Sequence, residues 1–355
     1  MEVVSKVLGE TRTIQVRLPA EYLRTERRYP VLYLTDGERQ FGHTAATVEF
    51  LARAGRIPEM IVIGVSNNTN RTRDLTPTHV SGEDRLAPSG GADRFLQFIE
   101  TELVPWVGTQ YRTEPFQVLA GHSFGGLFAL HSFLSRPSLF NAVIAVSPTL
   151  TWDGNLPISR AREFFSRQSG QLKRTLVLTI GDEPDLVPGY ETLRSLFGST
   201  PLAGFRYELE RMSEDDHGSL VLMTHYLGLR RIFDGWAMPR GQTRLSDVTR
   251  HYAKLSQRLD WTVKPPEAVV NVLGYRAIAE KRFSEGLELF AYNVKTYPES
   301  ANVYDSYGEG LEADGRLTEA IEQYMRAVEL GERHSDHNVE VFRQHLEAAR
   351  KSGTR

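Results

Sequence analysis

The stretch Gly121–His122–Ser123–Phe124–Gly125 (GHSFG) decides the fold because of what stands on either side of it. A strand-like segment, Phe116–Leu119 (FQVL), precedes it, and a helix-like segment over Gly125–Ser135 follows. The pattern G-x-S-x-G between a strand and a helix is typical of a tight turn that presents a serine hydroxyl above a sheet. Glycines at both ends of this turn let the helix approach the strand without collision. The sequence therefore predicts Ser123 as a nucleophile.

Strand-like and helix-like segments alternate on both sides of this turn. Apolar or alternating runs typical of strands are Thr13–Leu18, Tyr29–Leu34, Met60–Val65, Ala142–Val146, Thr175–Ile180 and Phe205–Glu210. Helix-like segments between them are Thr44–Ala54, Gly91–Tyr111, Arg160–Arg167, Glu191–Leu196 and His217–Phe233. This order predicts an α/β protein with a mostly parallel sheet flanked by helices and a ligand site at the carboxyl ends of its strands. Together with the serine turn, it indicates the α/β-hydrolase fold.

The character of the chain changes at Met238–Gln242 (MPRGQ) and again at Lys264–Pro266 (KPP). We therefore expect a catalytic domain over residues 1–237, a connecting helix or linker over 238–264 and a helical domain over 265–355. In that last domain Phe283–Gly286 (FSEG) is echoed 34 residues later by Leu317–Ala320 (LTEA). A 34-residue period with helix–turn–helix patterning is the signature of tetratricopeptide repeats (TPR). Such a TPR-like tail is a candidate surface for self-association or for a protein partner.

Composition excludes several classes of function. The 355 residues carry a formal net charge of −3, so we expect no nucleic acid as partner. The chain has no Cys, which excludes disulfides, cysteine nucleophiles and thiolate metal sites. Its longest apolar runs are strand-sized, so we expect a soluble protein with no membrane span. Met1–Leu8 (MEVVSKVL) shows no signal-peptide pattern, which leaves a cytoplasmic location if Met1 is the native start and a periplasmic or secreted one if an export signal was removed.

A serine needs a base, and in this fold the chain order is serine, acid, histidine. The downstream candidates are His131, His217 and His225, and His217 is preferred because it lies in a loop between a strand-like and a helix-like segment. The acid should follow the strand before that of the base. The loop Gly181–Asp185 (GDEPD) offers Glu183, which we prefer, and Asp185 as the alternative.

Acyl transfer also requires two backbone N–H groups that stabilise the oxyanion. One should come from Phe124, the residue after the nucleophile. The other should come from the loop after the early strand, at Glu38 or Gly37. An ordinary turn at Thr35–Glu38 is the alternative interpretation.

Several segments together resemble the putative-esterase family, which includes ferric-enterobactin esterases, esterase D and mycolyltransferases. They are YPVLYLTDGERQF (29–41), IVIGVSNNTNRTRDLTP (61–77), GHSFGG (121–126), SPTLTWD (147–153) and DHGSL (216–220). The resemblance implies hydrolysis of carboxylic esters with no metal and no organic cofactor. It also implies that Trp152, Arg71 and Arg73 line the substrate cleft, although core packing for Trp152 and loop anchoring for the arginines are equally open.

The leading hypothesis is therefore a serine carboxylesterase acting on a small-molecule ester through an acyl-enzyme on Ser123. A siderophore esterase of the enterobactin-trilactone type and a related acyltransferase are alternatives within the same chemistry. A different class of function is a binding protein in which the TPR-like tail docks a partner and the hydrolase domain is a relic. The residues at the predicted site do not choose between hydrolysis and acyl transfer.

Overall fold

A computed structural model of the chain describes residues 1–81 and 86–353, so the end of the predicted 265–355 domain lies outside the described residues. Over this range the chain forms two compact units. The first consists of Met1–Pro19, Arg28–Ala237 and Arg258–Trp261, and the second of Ala20–Arg27, Met238–Gln257 and Thr262–Arg355. The three-part division inferred from composition stays a prediction.

An eight-stranded sheet, counted over the described residues, organises the first unit. Its strands are β1 (Glu2–Ser5), β2 (Glu10–Arg17), β3 (Tyr29–Leu34), β4 (Ile61–Val65), β5 (Thr113–His122), β6 (Ala142–Val146), β7 (Thr175–Ile180) and β8 (Arg206–Arg211). The order across the sheet is β1-β2-β4-β3-β5-β6-β7-β8. Strand β2 runs antiparallel to β1 and β4, and the other neighbours are parallel. The predicted α/β fold with a mostly parallel sheet is confirmed.

Helices cover both faces of this sheet, which explains why strands β3, β4, β6 and β7 are buried along their whole length. They are α1 (Gly37–Arg53), α2 (Arg71–Leu75), α3 (Ala92–Phe98), α4 (Val104–Gln110), α5 (Phe124–Ser135), α6 (Trp152–Arg167), α7 (Val187–Ser199) and α8 (Leu220–Ile232). A wider helical turn over Ile99–Leu103 joins α3 to α4, and a short 3-10 helix spans Tyr22–Arg24. Helix α1 packs on α8, whereas α5 packs on α2, α3 and α6.

Register brings the carboxyl ends of adjacent parallel strands together. Leu34 of β3 lies beside Ala120 of β5, and His122 of β5 lies beside Val146 of β6. Val146 in turn pairs with Thr179 of β7, and Ile180 of β7 pairs with Arg211 of β8. Loops that follow five neighbouring strands therefore meet along one edge, where ligands bind in folds of this class.

Most predicted elements lie close to their observed bounds, but helix α1 begins at Gly37 rather than Thr44. Its first turn is polar (GERQ), so the apolar spacing that marks a helix in sequence starts only later. Gly37 and Glu38 consequently occupy the first turn of a helix instead of a loop. Asp36 caps this helix in the left-handed conformation, with φ 52° and ψ 42°.

Helices α9 (Leu245–Leu259), α10 (Glu267–Ala279), α11 (Phe283–Thr296), α12 (Ala301–Ala313), α13 (Leu317–Arg333) and α14 (Val339–Gly353) follow the sheet-containing region. The same contact occurs at a 34-residue interval in two successive helix pairs. A Cβ built on Gly274 would lie 2.5 Å from Cε1 of Phe290, and one on Gly308 would lie 2.6 Å from Cε1 of Tyr324. In each copy an aromatic ring therefore packs directly against a glycine of the preceding helix. The tetratricopeptide assignment itself stays a prediction.

In the described part of the chain, no helix combines the length and the apolar character that crossing a membrane requires.

Candidate active site

Ser123 lies at the sharp turn between strand β5 and helix α5. Its backbone has φ 62° and ψ −117°, a conformation that is rare for a residue with a side chain and that is characteristic of strained functional turns. The Ser123 amide donates to the carbonyl of Val146 at 3.0 Å, which ties the turn to strand β6. This is the strand–turn–helix context in which G-x-S-x-G presents a nucleophile.

The two glycines of the motif are required by close packing at this turn. A Cβ on Gly121 would lie 2.6 Å from Oγ1 of Thr35 and would also collide with the Gly125 carbonyl. A Cβ on Gly125 would collide with the same Thr35 hydroxyl and approach Oδ2 of Asp36 to 3.3 Å. The segment after strand β3 therefore packs directly against the serine turn, because β3 and β5 are neighbours in the sheet.

His217 and Glu183 form a hydrogen-bonded pair at the ends of strands β8 and β7. His217 Nδ1 lies 2.5 Å from Oε1 of Glu183. Burial acts to raise the pKa of Glu183, but hydrogen bonds from Ser147, the Gly181 amide and His217 outweigh it and hold the pKa below its usual value. Glu183 is therefore a carboxylate at neutral pH, in position to orient the imidazole and to stabilise its charged form.

The other carboxylates of the same loop have different surroundings. Asp185 is exposed and makes no hydrogen bond to any described residue, and Asp182 is exposed with Oδ1 3.7 Å from Arg211. Of the carboxylates weighed from the sequence, the structure brings Glu183 to His217. Sequence spacing left this choice open because the path of the loop decides it.

Ser147 is a member of the site that the sequence analysis missed. Its side chain is buried, its hydroxyl donates to Oε2 of Glu183, and its Oγ lies 3.1 Å from Nδ1 of His217. Its backbone φ of 40° is unusual for a serine. Two sequence signals pointed to it: it begins the family-like segment SPTLTWD (147–153), and it stands directly after strand β6, between the strands that lead to Ser123 and to Glu183.

His122, the residue before Ser123, lies against the predicted base. Its Nε2 is 2.6 Å from the carbonyl oxygen of His217, and the two ring centroids are 4.6 Å apart. Burial, followed by the neighbouring His217, lowers the pKa of His122 to about 4. The neutral ring can therefore donate its Nε2–H to that carbonyl and hold the main chain of His217.

The remaining histidines that follow Ser123 and were weighed as bases have other partners. His131 Nε2 lies 2.8 Å from Oδ1 of Asp93, and His225 Nδ1 lies 2.8 Å from Oγ1 of Thr44. Burial lowers the pKa of His225 to about 3, which keeps this ring neutral. Among the described residues no hydrogen bond joins Ser123 to His217; a hydrogen bond between a nucleophile and its base often tightens only when substrate binds.

The predicted oxyanion donors lie at the first turns of two helices. Phe124 begins helix α5, and Gly37 and Glu38 begin helix α1. Amide groups of a first helical turn have no carbonyl partner within their own helix and are free to bind an anion. The main-chain amide of Asn67 donates to Oε2 of Glu38 at 3.2 Å. This hydrogen bond involves the Glu38 side chain and does not use the Glu38 main-chain N–H, the predicted oxyanion donor.

Trp152 and Arg71 both contact Phe124, the residue after the nucleophile. The rings of Trp152 and Phe124 pack edge to face with centroids 5.4 Å apart, and the guanidinium carbon of Arg71 lies 5.3 Å from the centroid of the Phe124 ring. Trp152 is also buried and donates its Nε1–H to Oγ1 of Thr78 at 3.1 Å, so it serves packing as well.

Arg73 has different partners from Arg71, although it stands two residues away. Its Nη2 lies 2.6 Å from Oε1 of Glu10, and its Nε donates to Oδ1 of Asp74 at 2.8 Å. No contact links it to the serine turn within the described residues. Arg73 therefore acts as a loop anchor here, and its predicted place in the cleft gains no support.

A group of metal-binding residue types lies in the second unit. Ligand atoms of Asp305, Glu309 and His345 lie within 4.8 Å of one another. His345 Nδ1 is 2.9 Å from Oδ1 of Asp305, and Glu309 accepts a hydrogen bond from Tyr275. Ion pairing and hydrogen bonding account for the arrangement without a metal.

Comparison with known proteins gives a consistent result. A family model described as "Putative esterase" matches residues 5–187. The ferri-bacillibactin esterase BesA of Bacillus subtilis is 36% identical over 155 residues, which are 39% of this chain and 54% of the relative. A siderophore triacetylfusarinine C esterase of Aspergillus fumigatus is 33% identical over 175 residues, which are 44% of this chain and 57% of the relative. The chain thus spans about half the length of the curated relatives it matches.

Solved structures extend the likeness over more of the chain. An IroE-like serine hydrolase from Shewanella oneidensis has a TM-score of 0.73 at 30% identity and is matched over 83% of this chain and 98% of its own. An uncharacterised protein from Capnocytophaga ochracea has a TM-score of 0.66 over 99% of both chains at 16% identity, which is evidence for the fold alone. The neighbours are α/β-hydrolase-like, as the serine turn predicts.

Proposed function

The chain belongs to the putative-esterase family, and from that premise we propose that it is a serine carboxylesterase with Ser123 as nucleophile. The observation that carries the proposal is the strained backbone of Ser123 at the same sheet edge as the hydrogen-bonded pair of His217 and Glu183. A strained serine alone is compatible with a structural turn. A strained serine together with a histidine–carboxylate pair is the arrangement that acyl transfer requires.

In the proposed reaction Ser123 Oγ forms a bond to the ester carbonyl carbon while His217 takes the hydroxyl proton. Collapse of the tetrahedral intermediate breaks the bond to the alcohol, which leaves with the proton held by His217. Water then attacks the acyl-enzyme by the same route and releases the acid. Glu183 keeps the imidazole oriented through Nδ1 and offsets its positive charge in both steps.

The negative charge that develops on the carbonyl oxygen would be stabilised by backbone amides. We propose Phe124 and either Gly37 or Glu38 as donors, since each lies in a first helical turn. Preorganised donors of this kind contribute roughly 3–4 kcal/mol each to lowering the barrier in related chemistry. The helix N-termini add a favourable field for the oxyanion.

Within this class, we propose a siderophore ester as the natural substrate. The support is that two of the matched relatives, from Bacillus subtilis and Aspergillus fumigatus, are named as esterases of ferri-bacillibactin and of the siderophore triacetylfusarinine C. The partly exposed ring of Phe124, next to the nucleophile, also favours a substrate with flat, apolar groups.

We also propose that the helical second unit provides a surface for self-association or for a protein partner. Measuring the molar mass of the full chain in solution tests self-association.

The test is hydrolysis of a p-nitrophenyl ester series from acetyl to palmitoyl, followed by hydrolysis of a catecholate trilactone with and without iron. Wild type is compared with Ser123→Ala and with Ser166→Ala, a control serine of helix α6 whose hydroxyl donates to the Glu163 carbonyl. We expect activity in wild type and the control and its loss in Ser123→Ala. Equal rates in wild type and Ser123→Ala would exclude the proposal, and transfer of the acyl group to an added alcohol would identify an acyltransferase.

A further inference from the structure

Arg71 and Asp36 form a two-point ion pair beside the serine turn. Arg71 Nε donates to Oδ1 of Asp36 at 2.8 Å, and its Nη2 donates to Oδ2 at 2.9 Å. The Asp36 side chain is 1% exposed and that of Arg71 is 24% exposed. From this geometry we propose that the pair, which we name the clamp, fixes the two oxyanion-binding backbone segments relative to each other.

On the Arg71 side, the clamp holds the serine turn. Nη2 of Arg71 also donates to the carbonyl of His122 at 3.3 Å, and the guanidinium lies over the Phe124 ring. His122 and Phe124 are the residues immediately before and after Ser123. One guanidinium therefore restrains both sides of the nucleophile.

On the Asp36 side, the clamp holds the beginning of helix α1. Asp36 directly precedes Gly37 and Glu38, the candidate second donors, and its left-handed backbone sets the direction in which that helix starts. The main-chain amide of Asp36 donates to Oδ1 of the buried Asn67 at 3.0 Å, which holds the Asp36 backbone in place. A carboxylate so deeply buried needs a charged partner, because removing one member of a buried pair leaves an uncompensated charge.

These contacts give Arg71 a role different from binding an anionic substrate. Two of its nitrogen atoms are committed to Asp36, so its charge is largely neutralised and its planar fork is held in one orientation. Displacing a reacting group by about 1 Å can slow a reaction roughly 100-fold. The clamp should therefore act on kcat and leave KM nearly unchanged, since it supports the transition state and not the bound substrate.

The inference rests on the proposed esterase function, and the experiment separates the two. We would measure kcat and KM for Arg71→Met, Arg71→Lys, Asp36→Asn and the double variant Arg71→Met/Asp36→Asn, on a neutral and an anionic ester of the same alcohol. Inhibition by a trifluoromethyl ketone, which mimics the oxyanion, is measured beside inhibition by the product acid. Arg316→Met is the matched control, because Arg316 makes the same two-point contact with Glu319 in the second unit.

We expect Arg71→Met and Asp36→Asn each to lower kcat about 10- to 100-fold on both esters, with KM changed less than about threefold. Affinity for the trifluoromethyl ketone should fall by the same factor as kcat/KM, while that for the product acid stays constant. The double variant, which leaves no unpaired buried charge, should be about as slow as either single variant. Arg71→Lys should recover part of the rate, because an ammonium retains the charge but not the planar fork.

A rise in KM for the anionic ester alone, with kcat on the neutral ester retained, would overturn the clamp and make Arg71 a substrate contact. Retained rates in a folded double variant would also overturn it. If wild type and Ser123→Ala hydrolyse every ester equally slowly, the esterase proposal fails and the clamp fails with it. That outcome differs from failure of the clamp alone, in which wild type is active and the clamp variants match it.

Discussion

Replacing Glu183 with glutamine tests the assignment of the acid most directly. Glutamine retains the shape of the side chain but removes the charge that faces Nδ1 of His217. A hydrogen bond to a charged group contributes about 1.5–3 kcal/mol. The His217 side chain is 48% exposed, so water screens the pair and we take about 2 kcal/mol. At 1.36 kcal/mol per tenfold change in rate, kcat should fall roughly 30-fold.

The assay is kcat for p-nitrophenyl acetate at saturating substrate, with thermal unfolding recorded on the same samples. Asp185→Asn is the matched control, since it neutralises an exposed carboxylate of the same loop. We expect this variant to stay within about twofold of wild type, as is usual for an exposed surface charge.

Two results would refute this reasoning. If Asp185→Asn is slower than Glu183→Gln, Asp185 is the acid and the loop rearranges during catalysis. If both variants keep the wild-type rate, His217 works without help from a carboxylate, and the hydrogen bond to Glu183 serves folding only.

The remaining predictions concern a hydroxyl, a buried imidazole and a glycine. Ser147→Ala removes a donor to Glu183 and should lower kcat about fivefold, as expected for about 1 kcal/mol, with KM unchanged; a rise in KM alone would contradict this. Burial lowers the pKa of His225 from 6.5 to about 3, so between these pH values the unfolded chain binds a proton that the folded chain does not. The free energy of unfolding should therefore fall as pH decreases from about 6.5. Urea unfolding at pH 7 and pH 5 should show a smaller fall for His225→Gln than for wild type. An equal fall in both proteins would exclude the effect. Gly308→Ala places a Cβ 2.6 Å from the Tyr324 ring and should lower the free energy of unfolding in urea by about 1–3 kcal/mol. The control Gly42→Ala, whose Cβ would have nothing within 4 Å, should be neutral or stabilising. Equal stability of the two variants would contradict the packing argument.

His122, the last residue of strand β5, connects the sheet to His217 through a hydrogen bond to the His217 carbonyl. Because its lowered pKa keeps it uncharged near neutral pH, it holds the His217 main chain without placing a positive charge beside the His217 ring. Ser123, His122 and His217 are thus linked through strand β5 and its turn. The predicted base therefore depends for its position on the same turn that carries the predicted nucleophile.

Local sequence alone determined the fold class and the predicted nucleophile. Apolar runs such as Tyr29–Leu34 and Ala142–Val146 match their strands residue for residue, since strands buried on both faces need continuous apolar sequence. The serine turn was readable for a similar reason. Its glycines are required by contacts with Thr35, Asp36 and their own turn, and that requirement appears as a motif of fixed spacing.

Only the tertiary structure decided which side chains meet. Glu183 and Asp185 stand in one short loop, and its path alone brings Glu183 to His217. Arg71 and Arg73 looked equivalent in sequence, yet two residues along a helix correspond to a rotation of about 200°, so the two side chains leave helix α2 on opposite faces. Arg71 meets Asp36 at the start of helix α1, and Arg73 meets Glu10 at the start of strand β2. Such pairings join residues that are far apart in the chain, and their distances are set by strand order and packing rather than by any local pattern.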